Sequence, residues 1–254
     1  MTPTLEIYSA LQNAFDHFNA ELFEGRLPQC LITLRSSSRA YGYMHKRRFV
    51  NIAGQQVDEL GINPGYFAIQ SLEEVMATLV HEMVHHWQNH FGSPLKTMPH
   101  DREWAEKMQA LGLMPSHDGQ PGGKKTGRSM SDYILPEGPF IMTAKRLNDA
   151  GFELPWYDSH VSMSPAQMLE RRAALESTGE ASIGGTPPFE MALEREVQLP
   201  VRGPEPARKP LPRLRFVCRQ CGIKAWAAPD TALECGGCNI ALISTQSSGT
   251  ESNT

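Results

Sequence analysis

Two sets of residues in this chain have the types and spacing to do metal chemistry. The first is His81-Glu82-Met83-Val84-His85, and the second is Cys218, Cys221, Cys235 and Cys238. Histidines four residues apart on a helix project about 40° apart around its axis and one turn apart along it. Two imidazoles can then reach one ion from the same face. Glu82 sits between them and projects beside that ion, where its carboxylate can hold a water and take its proton. Zinc lowers the pKa of such a water to about 7, so the pattern points to metal-assisted hydrolysis with Glu82 as general base.

A zinc ion of this kind needs a third protein ligand. His86 is rotated about 100° from His85, and His90 lies nearly opposite His81 around the helix. Both are expected at the surface or behind the ligands. A third histidine on the pattern H-E-x-x-H-x-x-G-x-x-H is ruled out, because Gln88 holds the glycine position and Phe91 the histidine position. The ligand must therefore return from the next helix. His100 stands at its start behind Gly92, Pro94 and Pro99, and is favoured over its rivals Glu103 and Glu106.

The cysteines form two C-x2-C pairs separated by thirteen residues. Four thiolates in two knuckles read as a tetrahedral structural zinc site, closed to chemistry, in a module too small to fold on its own core. Gly222, Gly236 and Gly237 supply turn freedom around the knuckles. Cys30 stands alone in an apolar run and reads as core. The expected cofactor is thus Zn2+, one ion catalytic and one structural.

Several elements must position these residues. Leu5, Tyr8, Leu11, Phe15, Phe18 and Leu22 recur at helical spacing, and Gly25 stops that helix. Leu31–Leu34 reads as a strand and Ser36–Ser38 as a turn. Ala40–His45 and Phe49–Ile52 read as two further strands around Lys46-Arg47-Arg48. Ser71 and Glu74 form a capping box for the helix that carries His81, and a broad apolar stripe from Leu72 to Trp87 marks that helix as buried. A further helix runs from about Asp101 to Gly112 with Trp104, Met108 and Leu111 on one face. Residues 116–131 read as a flexible linker. Residues 132–176 read as a small extension with helices at Ile141–Ala150 and from Ser164. Seven prolines between Pro187 and Pro212 mark 177–212 as a spacer. The ribbon spans 213–245 and a polar tail 246–254.

At 254 residues, 40 % apolar and 20 % charged, the chain suits a globular protein with flexible stretches. Its net charge of −4 gives no global attraction to nucleic acid. No apolar run is long enough to span a bilayer, and MTPTLEIYSALQNAF lacks the features of a signal peptide, so a cytoplasmic location is expected.

The helix with Phe15, Phe18, Leu22 and Phe23, then Gly25-Arg26-Leu27-Pro28, a strand, a hairpin, His81-Glu82-x-x-His85, and His100 followed by Trp104, Met108, Gly112 and Leu113 resembles the SprT-like metalloprotease domain. The resemblance covers roughly residues 5 to 115. It implies an α+β fold with a compact zincin-like domain at 1–115, built from a helix, a small sheet, the H-E-x-x-H helix and a following helix. It also implies His100 as third zinc ligand and a protein substrate. One branch of the family cleaves proteins bound to DNA, and zinc ribbons often follow the domain.

Between residues 200 and 225, Arg202, Arg208, Lys209, Arg213, Arg215, Arg219 and Lys224 face only Glu205. With Phe216 and Trp226 nearby, this stretch has the means to hold a phosphate backbone and stack on bases. Two functions from different classes follow. One is a zinc endopeptidase, with DNA-associated proteins as its substrates. The other is a nucleic-acid-binding or transcription-associated ribbon protein whose zincin domain is a silent scaffold.

Overall fold

The computed structural model describes residues 2–36, 40–161, Gln167, Glu170 and 213–245. The chain divides into two compact units, Met1–Pro204 and Glu205–Thr254.

The first helix, α1 (Pro3–Leu22), buries Ile7, Leu11, Ala14, Phe15, Phe18 and Leu22. Leu5 and Tyr8 lie off that stripe and are exposed. Gly25 closes the helix at φ +67°, where a side chain would be strained. Buried Asn19 then fixes the following turn. Its amide donates to the Leu27 carbonyl at 3.1 Å, and its oxygen accepts the Leu27 N–H at 3.0 Å.

Strands β1 (Leu31–Leu34), β2 (Gly42–Val50) and β3 (Gln56–Ile62) form a sheet in the order β1-β3-β2. β1 runs parallel to β3 and β2 antiparallel to it. Two strands were expected around Lys46-Arg47-Arg48, but the structure has one. β2 passes through that stretch with a register shift between His45 and Phe49, and Arg47 sits at φ 52°. Two extra residues on β2 are accommodated as a bulge, and the Arg47 N–H donates to Asp58 Oδ1 at 2.7 Å. The sequence reading missed β3 because Asp58, Glu59 and Gly61 break the apolar alternation of a strand.

Helix α2 (Leu72–Phe91) starts on the expected capping box, with Ser71 Oγ accepting the Glu74 N–H and Glu74 accepting the Ser71 N–H. It packs on β2 and β3. Helix α3 (Arg102–Leu111) is capped by Asp101, which accepts the Trp104 N–H at 3.0 Å. Gly112 ends it at φ +85°.

Residues 116–131 do not run free as a linker. β4 (Leu113–Ser116) and β5 (Ser131–Ile134) pair antiparallel and close the segment into a loop. Helix α4 (Pro139–Asp149) follows, two residues earlier at its start than expected from Ile141, with Gly151 at φ +82° after it. Phe140, Ile141, Ala144, Leu147 and Leu154 join the same core as Phe15, Phe18, Met83 and Trp104. The Phe18 and Phe140 rings stack at 5.7 Å. The described part of 132–176 is therefore built into the first unit's core, because α4 supplies an apolar stripe that α1 needs covered.

In the second unit, β6 (Leu214–Val217), β7 (Lys224–Ala227) and β10 (Ile243–Thr245) form a sheet in the order β10-β6-β7. β8 (Glu234–Cys235) and β9 (Ile240–Ala241) form a short hairpin. The architecture is mixed α and β, as expected. No helix among the described residues is long and apolar enough to cross a membrane. The turn at Ser37–Ser38, the helix start at Ser164, the proline-rich spacer and the polar tail lie outside the described residues.

Candidate metal centre

The helical spacing of His81 and His85 puts both on one face of α2, and the segment leading into α3 brings His100 to the same place. One ligand atom from each of the three lies within 4.8 Å of the others. The Nε2 atoms of His81 and His100 are 3.3 Å apart. Trp104, fully buried, forms the wall behind them. It stacks on His85 at 5.4 Å and meets His81 and His100 edge-on at 4.9 and 4.6 Å.

His81 Nδ1 lies 2.9 Å from Asp132 Oδ1. A carboxylate only accepts, so Nδ1 carries a proton, and in the neutral imidazole the Nε2 lone pair faces His100. A carboxylate behind a metal-binding imidazole fixes its tautomer and raises its basicity. Two imidazole nitrogens facing each other at 3.3 Å, one backed in this way, form a donor set that fits a zinc ion. His100 Nδ1 is buried without a hydrogen-bond partner.

The electrostatics follow from burial. Glu82 is pushed up to about 7 by burial, against the pull of His81 and with a small push from Asp132. His85 is held well below the usual imidazole value by burial and by its neighbours His81 and His100. His100 is lowered to about 4 by burial and by His81. His81 goes the other way: burial opposes its charge, but the Asp132 hydrogen bond and the Glu82 and Asp132 charges outweigh it.

The rivals for the third ligand position have other partners. Glu103 accepts from Gln88 Nε2 at 2.8 Å and from the Ser93 N–H at 2.7 Å. Glu106 pairs with Arg102 at 2.6 Å on the surface. His86 departs from the sequence expectation of a surface place or one behind the ligands. It is fully buried, with Asp58 Oδ2 at 3.0 Å and the Pro28 carbonyl at 2.8 Å. His90 is partly exposed and also reaches Asp58 Oδ2, at 3.0 Å.

Sequence reasoning missed two contributors. Asp132 had no local signal, because only the pairing of β4 with β5 brings it to α2. Gly42, the first residue of β2, sits against Glu82. A β-carbon there would lie 2.8 Å from Glu82 Cγ and 2.9 Å from its Oε1.

In the second unit the sulfurs of Cys218, Cys221, Cys235 and Cys238 lie within 4.8 Å of one another. All four are free thiols, and Cys218 is drawn down to about 7, chiefly by the Cys221 N–H. Gly222, at φ +73°, turns the first knuckle as expected. The matching place in the second is taken by Asn239 at φ 51°, not by Gly236 or Gly237. Arg213, Arg215, Arg219 and Lys224 are exposed, and Arg208 and Lys209 lie outside the described residues. Arg215 is directly opposite Trp226 across β6 and β7, and the indole is 61 % exposed. Phe216 is buried and cannot stack on a base, which corrects the expectation for that ring.

Comparison with known proteins agrees with the first unit. The model of the SprT-like family matches residues 11–121, which include α2 and His100. A protein of Salmonella typhimurium described as an uncharacterized protein in the mucB 3' region is 51 % identical over 59 residues, covering 23 % of this chain and 80 % of that protein. No solved structure matches. The chain belongs to the SprT-like family, whose domain is of the zinc-metalloprotease type.

Proposed function

We propose that this protein is a zinc-dependent endopeptidase acting on DNA-associated proteins. The observation that carries the reading is the convergence of His81, His85 and His100 beside the buried carboxylate of Glu82. Zinc held by these imidazoles would supply a Lewis acid that polarises a carbonyl and acidifies a water. Glu82, held near neutrality by burial, takes the proton of the attacking water and returns it to the leaving amine. Asp132 holds His81 in the tautomer that leaves Nε2 free.

Strand β2 lies at an edge of its sheet, packs on α2 and begins at the glycine that touches Glu82. An extended peptide adding to that edge would bring a backbone carbonyl to the Glu82 carboxylate. Arg215 and Trp226 on the exposed face of β6 and β7 support nucleic-acid contact by the second unit. A structural zinc ion at the four cysteines would hold that unit together.

Casein and histone cleavage by the zinc-loaded full-length chain, with and without single-stranded DNA, tests the reading. Cleavage is expected with both substrates, and faster histone cleavage with DNA. Salt-dependent DNA binding should fall when residues 200–245 are removed. DNA binding with no cleavage of any substrate would favour a silent zincin scaffold instead.

A further inference from the structure

We propose that Asp58, His86 and His90 form a separate site for a divalent transition-metal ion in the first unit. One ligand atom from each of the three lies within 4.8 Å of the others. His86 and His90 are four residues apart on α2, so they repeat the spacing of His81 and His85 on another face of the same helix. Asp58 reaches them from β3.

The hydrogen bonds explain why a cation fits there. The Pro28 carbonyl, 2.8 Å from His86 Nε2, can only accept, so Nε2 carries a proton. In a neutral imidazole that leaves the Nδ1 lone pair aimed at Asp58 Oδ2, 3.0 Å away. His90 Nε2 lies 3.0 Å from the same oxygen. A nitrogen lone pair and a carboxylate converging on one point are stabilised by positive charge between them. The surroundings are those of a built ligand set. A backbone carbonyl orients His86 from behind, and the Arg47 N–H holds the other carboxylate oxygen at 2.7 Å. Two imidazoles and one carboxylate suit zinc, cobalt or nickel over calcium or magnesium. His86 and Asp58 are buried, while the His90 side chain is 32 % exposed and gives an ion its access.

An ion here would tie α2 to β3 and, through Asp58 and Arg47, to the bulge of β2. It would stand apart from the His81, His85 and His100 group and would not depend on the proteolytic reading.

Zinc content of the full-length protein, saturated with zinc and desalted, tests the proposal. His90→Gln removes a ligand but keeps an amide able to donate to Asp58, so the fold is expected to persist by circular dichroism. It should carry one equivalent less zinc than the wild type. His100→Ala should lose a different equivalent, and the double variant both. In the His100→Ala background, zinc should still raise the melting temperature at this site, and His90→Gln should remove that rise. An undiminished zinc content in His90→Gln, or an unchanged zinc-dependent rise, would overturn the proposal, whatever His100→Ala does.

Discussion

His81 Nδ1 lies 2.9 Å from Asp132 Oδ1, a pairing that spans 51 residues and joins the helix of the histidine cluster to strand β5. Its consequence is chemical. Replacing Asp132 with Ala leaves His81 free to adopt either tautomer and lowers its basicity. Zinc affinity at the His81, His85 and His100 group should fall about 10–100-fold. Competition with a chelator measures this, and Asp132→Asn, which can still accept a hydrogen bond, should lose less than Asp132→Ala.

Gly42 is a glycine because Glu82 occupies the space of its side chain. A β-carbon there would also lie 3.1 Å from the Gly61 carbonyl, so the backbone has little room to yield. Gly42→Ala should therefore displace the Glu82 carboxylate. We expect kcat to fall about 10–100-fold, since a misplaced catalytic group costs that much. Zinc content should be unchanged, which separates this variant from a loss of ligands.

The metal-free first unit should be most stable near pH 6.5. His85, His86 and His100 are held below the ordinary imidazole value, each by burial first. Below about pH 6.5 the unfolded chain takes up protons that these folded histidines refuse, so stability drops as pH falls. Glu82 acts in the opposite direction, because its folded value of about 7 lies above its ordinary one. It binds a proton in the folded state that the unfolded chain has released, as does His81 above its ordinary value. On the acid side three histidines outweigh one glutamate. On the neutral side the contribution of the three histidines fades while Glu82 and His81 continue to act, and stability falls as pH rises. Thermal melts between about pH 5 and 8 check the maximum. Zinc should shift it upward, because zinc binding displaces protons and strengthens as pH rises.

Much of this was legible in the sequence because the signals were local. The capping box at Ser71 and Glu74 and the spacing of His81 and His85 depend on one helix alone, and α2 carries both as read. The third ligand was harder. His100 is one of several candidates after α2, and only the packing of α3 through Trp104 separates it from Glu103 and Glu106. Strand β3 was illegible because Asp58 and Glu59 are buried by virtue of their hydrogen bonds, a property that no apolar pattern records. Asp132 was illegible for a related reason. The glycine-rich residues just before it read as a linker, and its place is set by strand pairing at long range. His86 looked like a residue for the surface or for a place behind the ligands, since helix geometry shows the direction of a side chain but not what meets it there.

We propose Glu82 as the proton-transferring group of a zinc-dependent peptidase. This role is tested most directly by comparing zinc-loaded wild type with Glu82→Gln for casein cleavage, with zinc content measured on the same samples. Equal zinc content with cleavage reduced about 10²–10⁴-fold is the expected result, the loss typical of a missing general base. Cleavage by Glu82→Gln at the wild-type rate would contradict it.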